Sequence, residues 1–103
     1  MEIFLKGMAM KLSEAIREGA KLRPQCKGAF YSTNDQGVVS SCALGAAYEA
    51  VTGELPHAPL IDWHDVPNFP ELPSTIETRI IAMNDSGRTR EEIADILASE
   101  GYS

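Results

Sequence analysis

The chain has 103 residues, 44% of them hydrophobic and 23% charged, with a net charge of −6. That length suits one domain spanning residues 1–103, with a core modest in size yet sufficient without metal or disulfide staples, and the composition argues against disorder. Residues 1–27 carry +3 and the remainder −9, so nucleic-acid binding across the whole surface is disfavoured, while a basic N-terminal helix meeting an acidic body in a second copy would give a homo-oligomer.

Met1-Glu2-Ile3-Phe4-Leu5 is too short and too acidic for a secretory leader. No apolar run reaches membrane-spanning length, which predicts no membrane partner. Two cysteines without a leader predict reduced thiols and a cytoplasmic location.

Met8, Leu12, Ala15, Ile16, Gly19 and Leu22 recur at helical spacing, with Lys11, Glu14, Arg17, Glu18 and Lys21 opposite them. A first helix is therefore expected over residues 6–23, stopped by Pro24. Glu14–Arg17 and Glu18–Lys21 are spaced as favourable pairs on its surface.

Residues 29–33 and 38–41 are short runs of aromatic, β-branched and hydroxyl side chains flanking Asn34-Asp35-Gln36-Gly37. They read as a β-hairpin whose turn ends in a glycine bulge at Gly37. Ser40 or Ser41 is expected to cap a second helix running to about Val51, with Gly53 as its left-handed C-terminal residue. Leu44, Tyr48 and Val51 give this helix a large apolar face, and Ala43, Ala46, Ala47 and Ala50 a small one that lets another backbone approach closely. A helix apolar on two faces belongs at the centre of the fold.

Residues 54–73 hold five of the six prolines and both histidines, which rules out a long helix there. Leu60, Ile61, Trp63, Val66, Phe69 and Leu72 are interleaved, so the segment is expected to dock on the helices; loops of this length are often functional. A third helix then starts at Ser74 with a Ser74–Glu77 capping box and an inner stripe of Ile76, Ile80 and Met83. Asn84-Asp85-Ser86-Gly87 ends it. A fourth starts at Thr89 with a Thr89–Glu92 box, turns Ile93, Ile96 and Leu97 inward and closes at Gly101. The predicted fold is thus mainly α with one small β-hairpin, an α+β domain of four helices.

Two stretches resemble a group of small uncharacterised bacterial and prophage-type proteins: Cys42-Ala43-Leu44-Gly45-Ala46 with the hairpin before it, and the run from Met83 through Asn84-Asp85-Ser86-Gly87-Arg88-Thr89-Arg90-Glu91-Glu92-Ile93-Ala94 to Asp95. The resemblance implies a compact fold and a mobile-element origin, and transfers no catalytic residue.

Four chemical readings compete with structural ones. Cys42, in the first turn of a helix, has the placement that papain-like hydrolases give their nucleophile. His64 or His57 would be its base, Asp62 or Asp65 would orient the ring, and Gln25 would serve as an oxyanion donor. Against this, its neighbours are alanines, and cysteine is among the most often buried residue types. Cys26, Cys42, His57 and His64 are spaced like no zinc motif, so no metal or other cofactor is expected. Trp63-His64-Asp65 is either a partner-recognition site or, as the loop pattern favours, an anchor whose indole packs inward. The last two helices resemble the opening of a helix-turn-helix, but Glu91, Glu92, Asp95 and Glu100 would repel phosphates. The leading expectation is a non-enzymatic accessory or interaction protein with a protein partner, its surface including residues 56–73, and the principal rival a thiol enzyme built on Cys42.

Overall fold

A computed structural model describes residues 10–56 and 61–101. Their order is helix α1 (Leu12–Ala20), strands β1 (Tyr31–Thr33) and β2 (Val39–Ser41), helix α2 (Ala43–Thr52), a 3-10 turn at Trp63–Asp65, and helices α3 (Ser74–Asp85) and α4 (Arg90–Ser99). This is the expected α+β architecture of four helices and one antiparallel hairpin. Met8, His57 and Leu60 lie outside the described residues.

The hairpin forms because its turn satisfies itself. The Asn34 side-chain oxygen accepts from the amides of Gln36 and Val38, and the Asn34 backbone bonds both Gly37 and Val38. Gly37 takes φ 82°, the bulge conformation that a residue without Cβ adopts at no steric cost. Tyr31 pairs with Ser41, Ser32 with Ser40 and Thr33 with Val39.

Helix α2 is the inner post of the fold. Ala43, Leu44, Ala46 and Ala47 are fully buried. Helix α1 packs on the small-residue face so closely that a Cβ on Gly19 would lie 1.8 Å from the Ala46 carbonyl oxygen. The chain before β1 presses on the first turn: a Cβ on Gly45 would lie 2.0 Å from the Phe30 carbonyl oxygen. Leu12, Ala15 and Ile16 of α1, Ile76 and Ile80 of α3, and Ile93, Ala94 and Leu97 of α4 complete the core around it.

Three expected caps and bounds differ. Within the described residues α1 covers Leu12–Ala20 and stops short of Arg23, leaving Leu22 exposed. The Arg23 carbonyl instead accepts from the buried Arg90 guanidinium, and the Arg23 side chain makes a bidentate pair with Glu49. Those bonds need the chain out of the helix well before Pro24. On the surface of α1, Glu18–Lys21 forms as expected, whereas Glu14 accepts from the Lys11 amide and Arg17 pairs with Asp95.

The N-cap of α2 is Cys42, not Ser40 or Ser41. Ser41 is held in the strand, paired on one side with Tyr31 and on the other with Gln25. The expected Ser74–Glu77 box does not form either: Pro73 is the cap, and Glu77 accepts from the Trp63 indole. The Thr89–Glu92 box and the left-handed Gly53 are as expected.

Candidate functional site

Helix α2, the chain entering the hairpin and helix α3 enclose a cleft of about 290 Å³. Its walls are Gly28, Ala29 and Phe30 on one side, Cys42, Ala43 and Leu44 at the start of α2, and Glu77, Ile80, Ile81, Asn84 and Asp85 along α3.

Asn84 holds these elements together. It is 1% exposed. Past the Gln25–Ser41 bridge the two parallel segments part, and the Asn84 amide fills the wedge where the next rung would be. Its Nδ2 donates to the Cys26 carbonyl at 2.8 Å, and its Oδ1 accepts from the Ala43 amide at 3.0 Å. These partners set the amide's orientation, because a carbonyl needs the nitrogen and an N–H needs the oxygen. Gln25 Nε2 donates to the same Oδ1 and to the Arg88 carbonyl, while Asp85 accepts from the Gly28 amide.

Behind the wedge, Arg90 is 5% exposed. Its Nη1 donates to the Ser41 carbonyl and hydroxyl, and its Nη2 to the carbonyls of Ala20 and Arg23. Burial pulls its pKa down, but all those partners are acceptors, so the side chain acts as a cationic clamp on the end of α1 and the end of β2.

The docked loop sets two walls of the cleft. Trp63 is buried, donates through Nε1 to Glu77 at 3.0 Å, and meets Phe30 edge-on at 5.8 Å. Tyr48 and Phe69 pack on the same indole. Trp63 therefore faces inward, with a carboxylate as its hydrogen-bond partner. His64 and Asp65 are exposed beside it, and the Asp62 side chain accepts from the His64 amide.

Of the sequence-derived catalytic candidates, Cys42 lines the cleft and His64 does not. The Cys42 sulfur accepts from the Gly45 amide at 3.4 Å. Burial pushes its thiol pKa up, and the Gly45 and Leu44 amides pull it back only in part. Among the described residues no hydrogen bond joins Cys42 to an imidazole. Gln25, weighed as an oxyanion donor, is committed to Asn84 and Arg88. Among the described residues no group of three or more His, Cys, Asp or Glu side chains is placed to hold a metal ion, and no helix is long and apolar enough to cross a membrane.

Asn84, Asp85 and Ile81 escaped the sequence reading as site residues. The signal was present for Asn84, which follows Ile76 and Ile80 at four-residue spacing on the buried stripe of α3. Comparison with known protein families, with curated proteins and with solved structures finds no match in any of the three.

Proposed function

We propose that the chain is a non-enzymatic interaction module that docks a segment of a partner polypeptide in the cleft between the hairpin entry and α3. An apolar side chain of that segment enters against Ile81 and Phe30, and a neighbouring Lys or Arg faces Asp85 and Glu77. The observation that carries this reading is the make-up of the mouth: Ile81 is 41% exposed, beside two carboxylates that form no ion pair among the described residues. The volume, about 290 Å³, lies at the lower edge of the roughly 300–1,000 Å³ usual for small-molecule sites, which favours one or two side chains over a cofactor.

Catalysis by Cys42 has less support, because burial favours its neutral thiol and its first turn is capped by its own sulfur. The expected interaction surface thereby moves from the proline-rich loop to the cleft that the loop braces.

Selection from a displayed random-peptide library tests the proposal. Enriched sequences should place an apolar residue next to Lys or Arg. Their binding should weaken at least about tenfold, roughly 1.4 kcal/mol, in Ile81→Ser and in Asp85→Asn, which keeps an oxygen for the Gly28 amide. No enrichment of that pattern, or equal binding by variants with unchanged circular dichroism, would count against it.

A further inference from the structure

The chain's two cysteines, separated by fifteen residues, are both free. The fold brings them together. The Ser41 amide donates to the Pro24 carbonyl at 2.9 Å, and the Cys26 amide to the Ser41 carbonyl at 3.0 Å, which makes Gln25 and Ser41 a parallel pair. One residue further on, Cys26 and Cys42 flank the point where the segments part, with the Asn84 amide set between the Cys26 carbonyl and the Ala43 amide. Successive side chains of extended backbone point to opposite faces, so Cys26 falls on the side of Ser40 and Cys42, away from the buried Ser41. The Cys26 thiol donates to the Ala29 carbonyl at 3.6 Å, Ala29 and Cys42 both line the cleft, and Cys26 acts electrostatically on the Cys42 thiol. Strands run about 4.8 Å apart at a paired rung such as Gln25–Ser41, and a disulfide spans Cα separations of roughly 4.4–6.8 Å, which leaves room for the segments to open by up to about 2 Å at the next residue.

We infer that Cys26 and Cys42 form a redox-active dithiol, which a small-molecule disulfide converts to an intramolecular disulfide in the wall of the cleft. Cys26 is the more exposed and reacts first. Its thiolate attacks one sulfur of the small disulfide, forming a mixed disulfide and releasing the first small thiolate. The Cys42 thiolate then attacks the Cys26 sulfur, forming the protein disulfide and releasing the second. Two protein thiols lose two protons and two electrons, and the small disulfide is reduced to two thiols. Burial is the largest influence on the Cys26 thiol and opposes its thiolate, as does the Asp85 carboxylate, while Ser40 and the Arg90 guanidinium favour it; the net shift is upward, so oxidation accelerates with rising pH.

Equilibration of the full chain in mixtures of reduced and oxidised glutathione tests this without any partner, and so independently of the docking proposal. The effective concentration of one thiol toward the other is read from the fraction of Cys26–Cys42 disulfide, identified by peptide mass spectrometry. Measured in native buffer and in concentrated urea, it should be more than about tenfold higher in the native chain, because the fold aligns the sulfurs while the unfolded loop closes with an effective concentration on the order of millimolar. Cys26→Ser and Cys42→Ser should each give only a mixed disulfide with glutathione. A native-to-unfolded ratio below about ten, or glutathione accumulating on Cys26 while Cys42 stays reduced, overturns the inference.

Discussion

Replacing Asn84 by Ala should be among the most damaging single changes at a polar position. Two buried backbone groups lose their partner, the Cys26 carbonyl and the Ala43 amide, whereas Gln25 keeps its bond to the Arg88 carbonyl. An unmade bond at a buried polar group costs about 1–3 kcal/mol, and the cleft that Asn84 lines admits water to offset part of it, so about 2–4 kcal/mol is expected. For a domain of this size that corresponds to a loss of roughly 10–20 °C in Tm. Asn84→Asp sharpens the test. At neutral pH it sets a carboxylate oxygen against the Cys26 carbonyl, beside Asp85. Protonation restores a donor, so the introduced carboxyl has a raised folded-state pKa. Its favourable contribution is present below the unfolded carboxylate range and lost as pH rises through the folded value. Thermal melts of both variants from pH 4 to 8 should show a nearly constant deficit for Asn84→Ala and one that shrinks on acidification for Asn84→Asp. A Tm loss below about 5 °C for Asn84→Ala, or a pH-independent deficit for Asn84→Asp, would refute the wedge argument.

Gly19→Ala should destabilise by at least about 3 kcal/mol in chemical denaturation, despite a gain of about 1 kcal/mol in helix propensity, because the new methyl carbon would lie 1.8 Å from the Ala46 carbonyl oxygen. Gly53→Ala, where there is open space but φ is 85°, should cost only about 1–2 kcal/mol in the same assay. Arg90→Leu should cost about 3 kcal/mol or more in urea unfolding, since the carbonyls of Ser41, Ala20 and Arg23 would lose a charged donor. Burial raises both thiol pKa values in the folded state, so their contribution to stability is present below the unfolded thiol value and lost as pH rises through the folded ones. The alkaline fall in Tm above about pH 8.5 should accordingly flatten in the Cys26→Ser/Cys42→Ser double variant.

What the sequence made legible was local. The Asn34–Gly37 turn, the left-handed Gly53 and the Thr89–Glu92 box each depend on residues within a few positions of one another, and each formed as read. The misread caps failed because a distant group claimed the same atoms: Trp63 took Glu77, and strand pairing with Arg90 took Ser41, leaving Cys42 to cap α2. Helix α1 stopped early for the same kind of reason, since Arg23 is held by Glu49 and Arg90. The candidate site was half legible. Cys42 stood out by its position at a helix start, but the partners that define the cleft come from α3, tens of residues away. Asn84 read as a helix terminator, although it continues the Ile76–Ile80 stripe. Arg90, in the first turn of an acidic helix, has nothing in its neighbours to mark it as buried.

The rate of Cys42 alkylation in the native state, measured against pH in the Cys26→Ser background, bears most directly on an enclosed α2 whose first residue is a neutral cap. Modification at pH 7 at least about tenfold slower than for an unfolded-chain thiol, with no inflection below about pH 8.5, is the predicted result. Fast modification at pH 7 with an inflection well below that value would contradict it, and would return Cys42 to consideration as a nucleophile.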